Sequence, residues 1–265
     1  MKIYRFLLDG RPVYGVRRED RLHLIRGSVF EDFVVEEEGV SLGAVRLLPP
    51  CEPTKIVAVG VNYRDHARER SKEPPREPLL FLKPPSALIG PGDVILHPSL
   101  SDRVDFEGEL ALVVRRRARR IAPEEDAGAY ILGCTCFNDV TARDLQDRDV
   151  QFTRAKSFDT FAAAGPCIAA GLSPDNLEIK TFLNGKLRQS SNTRNMIFSV
   201  PELLRAVTRV MTLLPGDMVT TGTPAGVGAM QPGDRVDVQI EGIGILSNTV
   251  AAENDFPAPR SEPGG

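Results

Sequence analysis

The sequence predicts a β-rich α+β fold, with a small N-terminal β unit ahead of a larger, strand-dominated domain. Three observations carry that expectation. Pro-Gly-Asp recurs at Pro91-Gly92-Asp93, Pro215-Gly216-Asp217 and Pro232-Gly233-Asp234, each leading into a run that favours extended chain (residues 94–96, 218–221 and 236–240). Proline and glycine preset a reversal, and β-branched residues favour the strand that follows. Two hairpins are marked by short turns, Asn184-Gly185 between residues 181–183 and 186–188, and Glu241-Gly242 between residues 236–240 and 243–250. Against these strands only one helix is well marked, where Ser199-Val200-Pro201-Glu202 forms a capping box ahead of Leu203, Leu204, Val207 and Val210.

Taken in order, residues 2–8, 12–16 and 22–25 are short strand candidates separated by Asp9-Gly10 and charged turns. Leu48-Pro49-Pro50-Cys51-Glu52-Pro53 then stiffens the chain and interrupts regular structure. This places domain bounds at 1–50 and 51–253, with a loose tail over 254–265. Residues 55–61, 105–114 and 131–137 read as strands, and a second helix is expected near residues 141–146. The charge- and proline-rich segment 64–78 reads equally as a lid or as an exposed loop.

Composition narrows the function classes. The chain has 265 residues, 42% hydrophobic and 26% charged, enough to bury a substantial core. A formal net charge of -3 gives no reason to expect nucleic acid or an anionic membrane as partner. The basic run at Arg115, Arg116, Arg117, Arg119 and Arg120 is accounted for by a solvated turn. No apolar stretch approaches a membrane span and no signal-peptide core is visible, so the expected location is the cytoplasm. Cys51, Cys134, Cys136 and Cys167 form no C-x-x-C pair, and reduced, structural thiols are expected.

Four segments can carry chemistry. In Asp105-Phe106-Glu107-Gly108-Glu109, residues two apart share one face of a strand, so Glu107 and Glu109 point the same way. Paired carboxylates repel, and a hard divalent cation relieves that repulsion; an edge strand with two solvated acids is the plain alternative. In Asn62-Tyr63-Arg64-Asp65-His66-Ala67-Arg68-Glu69, a helix would put His66 and Glu69 on one face, as a general base with its orienting acid or as a surface ion pair. Asp139 ends an apolar strand and is either a site acid or a helix N-cap; Arg143 and Gln146 follow one turn later, placed to hold a carboxylate, and Lys156 is a candidate buried cation. Thr221-Gly222-Thr223-Pro224-Ala225-Gly226 opens a strand into a loop whose N–H groups and hydroxyl suit a carboxylate. Its glycine spacing is wrong for a dinucleotide fingerprint, and G-x-x-x-x-G-K-[ST], G-x-S-x-G and H-E-x-x-H are all absent, which disfavours an NAD(P) oxidoreductase, an NTPase, a serine hydrolase and a zinc protease.

These segments, in this order and together with Gly60-Val61-Asn62-Tyr63 and Phe81-Leu82-Lys83-Pro84, resemble the motifs of the fumarylacetoacetate hydrolase family across most of residues 55–250. The resemblance implies a mixed β-roll, with Glu107, Glu109 and Asp139 holding Mg²⁺ or Mn²⁺ (Ca²⁺ also fits). It implies His66 and Glu69 as the proton-handling pair, Lys156 beside the metal stabilising an enolate, and Arg143, Gln146, Thr223 and Lys83 facing substrate. The founding hydrolase is expected to use an aspartate near the position of Asn62 as a further ligand, so the likeness is closer to the shorter members, whose bacterial representatives form homodimers. The implied substrate is a small 2-oxo or 2-hydroxy-dienoic dicarboxylic acid turned over through a metal-bound enolate. The leading activity is 2-hydroxyhepta-2,4-diene-1,7-dioate isomerase or a related decarboxylase of aromatic catabolism; the alternatives are an acylpyruvate hydrolase and an oxaloacetate decarboxylase. A non-catalytic member of the family finds no support, because the acid set and the His66–Glu69 pair are complete.

Overall fold

The computed structural model describes residues 1–69 and 73–255. Strands dominate. Four of them form an N-terminal meander, Lys2–Leu8, Arg11–Arg18, Arg21–Gly27 and Phe33–Ser41. The fourth was invisible in the sequence, where Glu36, Glu37 and Glu38 break up the apolar pattern. The meander does not stand apart. Ile3 of its first strand pairs with Ile168, so it continues the main sheet through the strand Ala162–Ala169.

That twelve-stranded sheet then runs through Ile131–Asp139, Gly108–Val114, Met218–Thr220, Ile56–Gly60 and Leu79–Lys83. Gly108–Val114 and Ala162–Ala169 are buried at every position, which explains their continuous apolar wording: both faces are covered. Shortly after the edge strand ends at Lys83, Leu88 and Ile89 pair in parallel with Ala162 and Ala163, drawing the sheet round on itself as a mixed roll. A five-stranded sheet, built from the strands of both hairpins and Val94–His97, and a three-stranded one complete the fold. Its helices among the described residues are α1 (Arg64–Glu69), α2 (Arg143–Arg148), α3 (Thr153–Lys156) and α4 (Val200–Val210).

Local signals act where the sequence puts them. The Asn184-Gly185 turn has φ of 52° and 74°, the left-handed pair that matches hairpin twist. Both halves of the Ser199–Glu202 capping box form at the start of α4. All four cysteines are buried and free, and burial pushes the Cys51 thiol up to about 12. The helix expected near residues 141–146 starts two residues later, at Arg143, because Thr141 and Ala142 pair with the strand Val104–Phe106. Of the two segments read as lid and tail, residues 70–72 and 256–265 lie outside the described residues; 253–255 form a short helical turn.

Topology decides where chemistry can sit. Gly108–Val114 is antiparallel to Ile131–Asp139 and to Met218–Thr220, and Met218–Thr220 is parallel to Ile56–Gly60. The start of the first strand and the ends of the other three therefore converge at one end of the sheet.

Candidate active site

That convergence builds the site. Asp139 ends its strand, and its backbone N–H donates to the Glu107 carbonyl at 2.9 Å, so the two acids are neighbours across the ladder. Glu109 lies two residues beyond Glu107, and the carboxylates of Glu107, Glu109 and Asp139 each bring an oxygen within 4.8 Å of the others. All three are buried. Asp139 is thus a site acid and not an N-cap, since α2 begins only at Arg143.

Two lysines neutralise part of this charge. Lys156 Nζ, at the end of α3, donates to Glu107 Oε2 at 2.8 Å and to Asp139 Oδ2 at 2.6 Å. Lys83 Nζ donates to Asp139 Oδ1 at 2.6 Å and to the Val140 carbonyl at 3.2 Å. Arg143 donates to Asp105 at 2.8 Å and also to Glu107 and Gln146. Four buried acids (Asp105, Glu107, Glu109, Asp139) face three buried cations, and the exposed Arg103 adds a fourth at Asp105, remote from Glu109. Burial works against the charge on Glu107, yet Lys156 and Arg143 hold its carboxyl well below the ordinary range. At Glu109 the balance reverses: burial, then Asp139 and Glu107, push it well up against the weaker pull of Lys156. Three hard oxygen donors, one of them poorly compensated, fit a divalent cation of the Mg²⁺, Mn²⁺ or Ca²⁺ kind.

The acids open into a cavity of about 90 Å³ lined also by His66, Arg143, Gln146, Lys156, Thr223, Phe81 and Phe152. His66 comes from α1, which follows the strand Ile56–Gly60; its Nδ1 lies 3.0 Å from Glu69 Oε2. Glu69 uses its other oxygen to accept from the Gly226 N–H at 3.0 Å. The Phe152 ring meets Phe81 edge-on at 5.5 Å, and Lys156 Nζ stands 5.2 Å over the Phe81 ring.

Nine of the ten expected residues gather here, eight in the cavity lining and Glu69 behind His66. Lys83 does not: it is fully buried and outside the lining, and its ammonium braces Asp139. The loop N–H groups do bind carboxylates, but those of the chain itself, Gly222 to Glu109 and Gly226 to Glu69. Asn62 is committed as well. Its amide donates to the carbonyls of Phe198 and Thr221 and accepts from the Phe198 N–H.

Sequence reasoning passed over Asp105, Asn138 and Gln189. Asp105 extends the alternation of Glu107 and Glu109 by one more step, a signal that was there to read, and it holds both Arg143 and Arg103. Asn138 Oδ1 accepts from the Glu107 N–H, and Gln189 Oε1 from the Gly108 N–H. These partners lie 31 and 81 residues away, so no local pattern marks them.

The same arrangement of motifs is found in known proteins. A family profile described as Fumarylacetoacetate (FAA) hydrolase C-terminal matches residues 55–251, and one described as Rv2993c-like, N-terminal matches residues 1–50. The chain belongs to the fumarylacetoacetate hydrolase family. Members of this family are enzymes and bind divalent metals. A crystal structure of 5-carboxymethyl-2-hydroxymuconate delta-isomerase from Mycobacterium smegmatis is similar at 38% identity and a TM-score of 0.89, covering 96% of this chain and 100% of that one. The 2-hydroxyhepta-2,4-diene-1,7-dioate isomerase from Mycobacterium marinum is similar at 38% identity and a TM-score of 0.88, covering 96% and 99%. The oxaloacetate tautomerase YisK of Bacillus subtilis is 42% identical over 225 residues, 79% of this chain and 74% of that protein. No described helix of this family member is long and apolar enough to cross a membrane.

Proposed function

We propose that the chain is a divalent-metal-dependent isomerase or tautomerase of an enolisable 2-oxo acid, with 2-hydroxyhepta-2,4-diene-1,7-dioate or a close relative as the leading substrate. One observation carries this reading: the His66–Glu69 pair and Lys156 line or back the same cavity as the acidic triad. Glu107, Glu109 and Asp139 would hold the cation, and when bound it supplies a Lewis acid for the oxygens of a 2-oxo acid.

The chain's own groups then do the proton work. Glu69 engages His66 Nδ1, which leaves Nε2 as the nitrogen that carries a proton between the substrate's 2-hydroxyl oxygen and a carbon of its chain. Lys156 places positive charge beside the oxygen on which negative charge develops. Phe81 and Phe152 keep that wall of the cavity apolar, which restricts water and favours return of the proton over hydrolysis. The relatives named for hydroxymuconate, dienedioate and oxaloacetate conversions all move a proton between carbon and oxygen or between carbons, and they support the same reaction class. With it we place the enzyme in aromatic catabolism, as a cytoplasmic homodimer.

The test is a spectrophotometric screen of dienedioates, oxaloacetate and acylpyruvates with Mg²⁺, following the enol chromophore and the products. Glu107→Gln is expected to lower turnover of every substrate by roughly 100-fold or more, because it removes one ligand charge and the Lys156 and Arg143 ion pairs together. Undiminished turnover in that variant sinks the assignment. Product analysis showing C–C cleavage in place of a shifted double bond replaces isomerase with hydrolase.

A further inference from the structure

Thr223 and Gly108 are joined by hydrogen bonds whose polarity is set by backbone groups. The Gly108 N–H can only donate, and it donates to Gln189 Oε1 at 2.9 Å. The Pro224 carbonyl can only accept, and it accepts from Gln189 Nε2 at 2.8 Å. Together these contacts leave the Gln189 amide a single orientation. Its remaining N–H therefore goes to Thr223 Oγ1, 2.8 Å away. Thr223 in turn donates its own hydrogen to the Gly108 carbonyl at 2.9 Å. A hydroxyl has one hydrogen and two lone pairs, so Thr223 keeps one lone pair and nothing else. Thr223 lines the cavity, while Gln189 is fully buried behind it.

We infer that the Gly108 carbonyl, which holds the Thr223 hydrogen, and Gln189, which fills one of its lone pairs, leave Thr223 an obligate hydrogen-bond acceptor towards the cavity, so that this wall selects a substrate hydroxyl and disfavours a carboxylate. The inference rests on the 2-oxo acid reading of the cavity and deepens it. A 2-hydroxy-enoic acid carries a hydroxyl hydrogen that its 2-oxo tautomer lacks, and the wall therefore favours the enol. Turning the Thr223 hydrogen into the cavity would leave two oxygens facing each other at 2.9 Å without a proton between them. Gln189 belongs to the hairpin strand Lys186–Asn192, so the five-stranded sheet supplies one of the contacts to a site built on the larger sheet.

Calorimetric titration of the Mg²⁺-loaded protein with glycolate and with oxalate tests this. Both are two-carbon acids; the first carries a hydroxyl where the second carries another carboxylate. Thr223→Val is expected to weaken glycolate about five- to tenfold and oxalate less than about twofold, the size of one lost hydrogen bond. Thr223→Ser restores glycolate. The quantity read is the glycolate-to-oxalate affinity ratio, which partial loss of folded protein or of metal leaves unchanged. Equal losses for both ligands in Thr223→Val, or no recovery of glycolate in Thr223→Ser, overturn the inference while leaving the 2-oxo acid reading intact. Failure of both ligands to bind the unmodified protein overturns that reading, and the inference with it.

Discussion

Glu107 and Glu109 sit two residues apart in one segment and carry opposite electrostatic histories. Lys156 and Arg143 outweigh burial at Glu107, whereas burial and two neighbouring acids push Glu109 up. The consequence for stability follows by linkage. Without metal, the raised Glu109 carboxyl contributes stability that is complete below its unfolded value of about 4.3 and is lost as pH rises through its folded value. The depressed Glu107 carboxyl acts in reverse, contributing above about 4.3 and losing that contribution as pH falls. Thermal unfolding in chelator should therefore show stability declining with pH above the carboxylate range, and Glu109→Gln should flatten that decline. A decline that survives the substitution would show that Glu109 is not its source. The residue between the two acids is constrained just as closely: a Cβ on Gly108 would lie 2.1 Å from Thr181 Oγ1, so only glycine lets the hairpin strand approach.

Elements bring these residues into register, and their caps and clamps can be tested separately. The turn from the strand Ile56–Gly60 into α1 passes through Val61 at φ 53°, an unfavourable region for a β-branched residue. Asn62 holds that turn with three hydrogen bonds, to Phe198 N, Phe198 O and Thr221 O. An aspartate there could accept from Phe198 N but would leave both carbonyls without a donor and add a buried charge. Asn62→Asp is expected to destabilise the protein by about 2 kcal/mol or more in denaturant unfolding. If the variant instead keeps its stability and binds metal more tightly, Asn62 occupies a ligand position and is not a clamp. Hairpins and the α4 capping box were legible because their signals are local, a turn dipeptide or a side chain reaching three residues. The strand Phe33–Ser41 was not, because its edge position lets charged residues fill it.

Across the whole molecule, a cation at the acid cluster would tie together strands from distant parts of the chain, one that opens at Gly108 and Glu109, one that ends at Asp139 and, through Gly222, a third. Mg²⁺ or Mn²⁺ at about 100 times its Kd should add about 2.7 kcal/mol, raising Tm by roughly 5–10 °C, and a chelator should reverse it. A Tm that ignores both would mean that the acids hold no metal. The amino-acid order by itself determined the strand-rich class, the hairpins, the capped helix and the segments from which most of the cavity lining comes, because each of these is written in side chains a few positions apart. Only the tertiary structure decided that Lys83 braces Asp139, that Asn62 is a clamp, and that Gly108 and Gln189 together engage the Thr223 hydroxyl. Those facts depend on which backbone groups meet across the roll and between its sheets, and pairing over such separations leaves no periodicity in the chain for a reader to find.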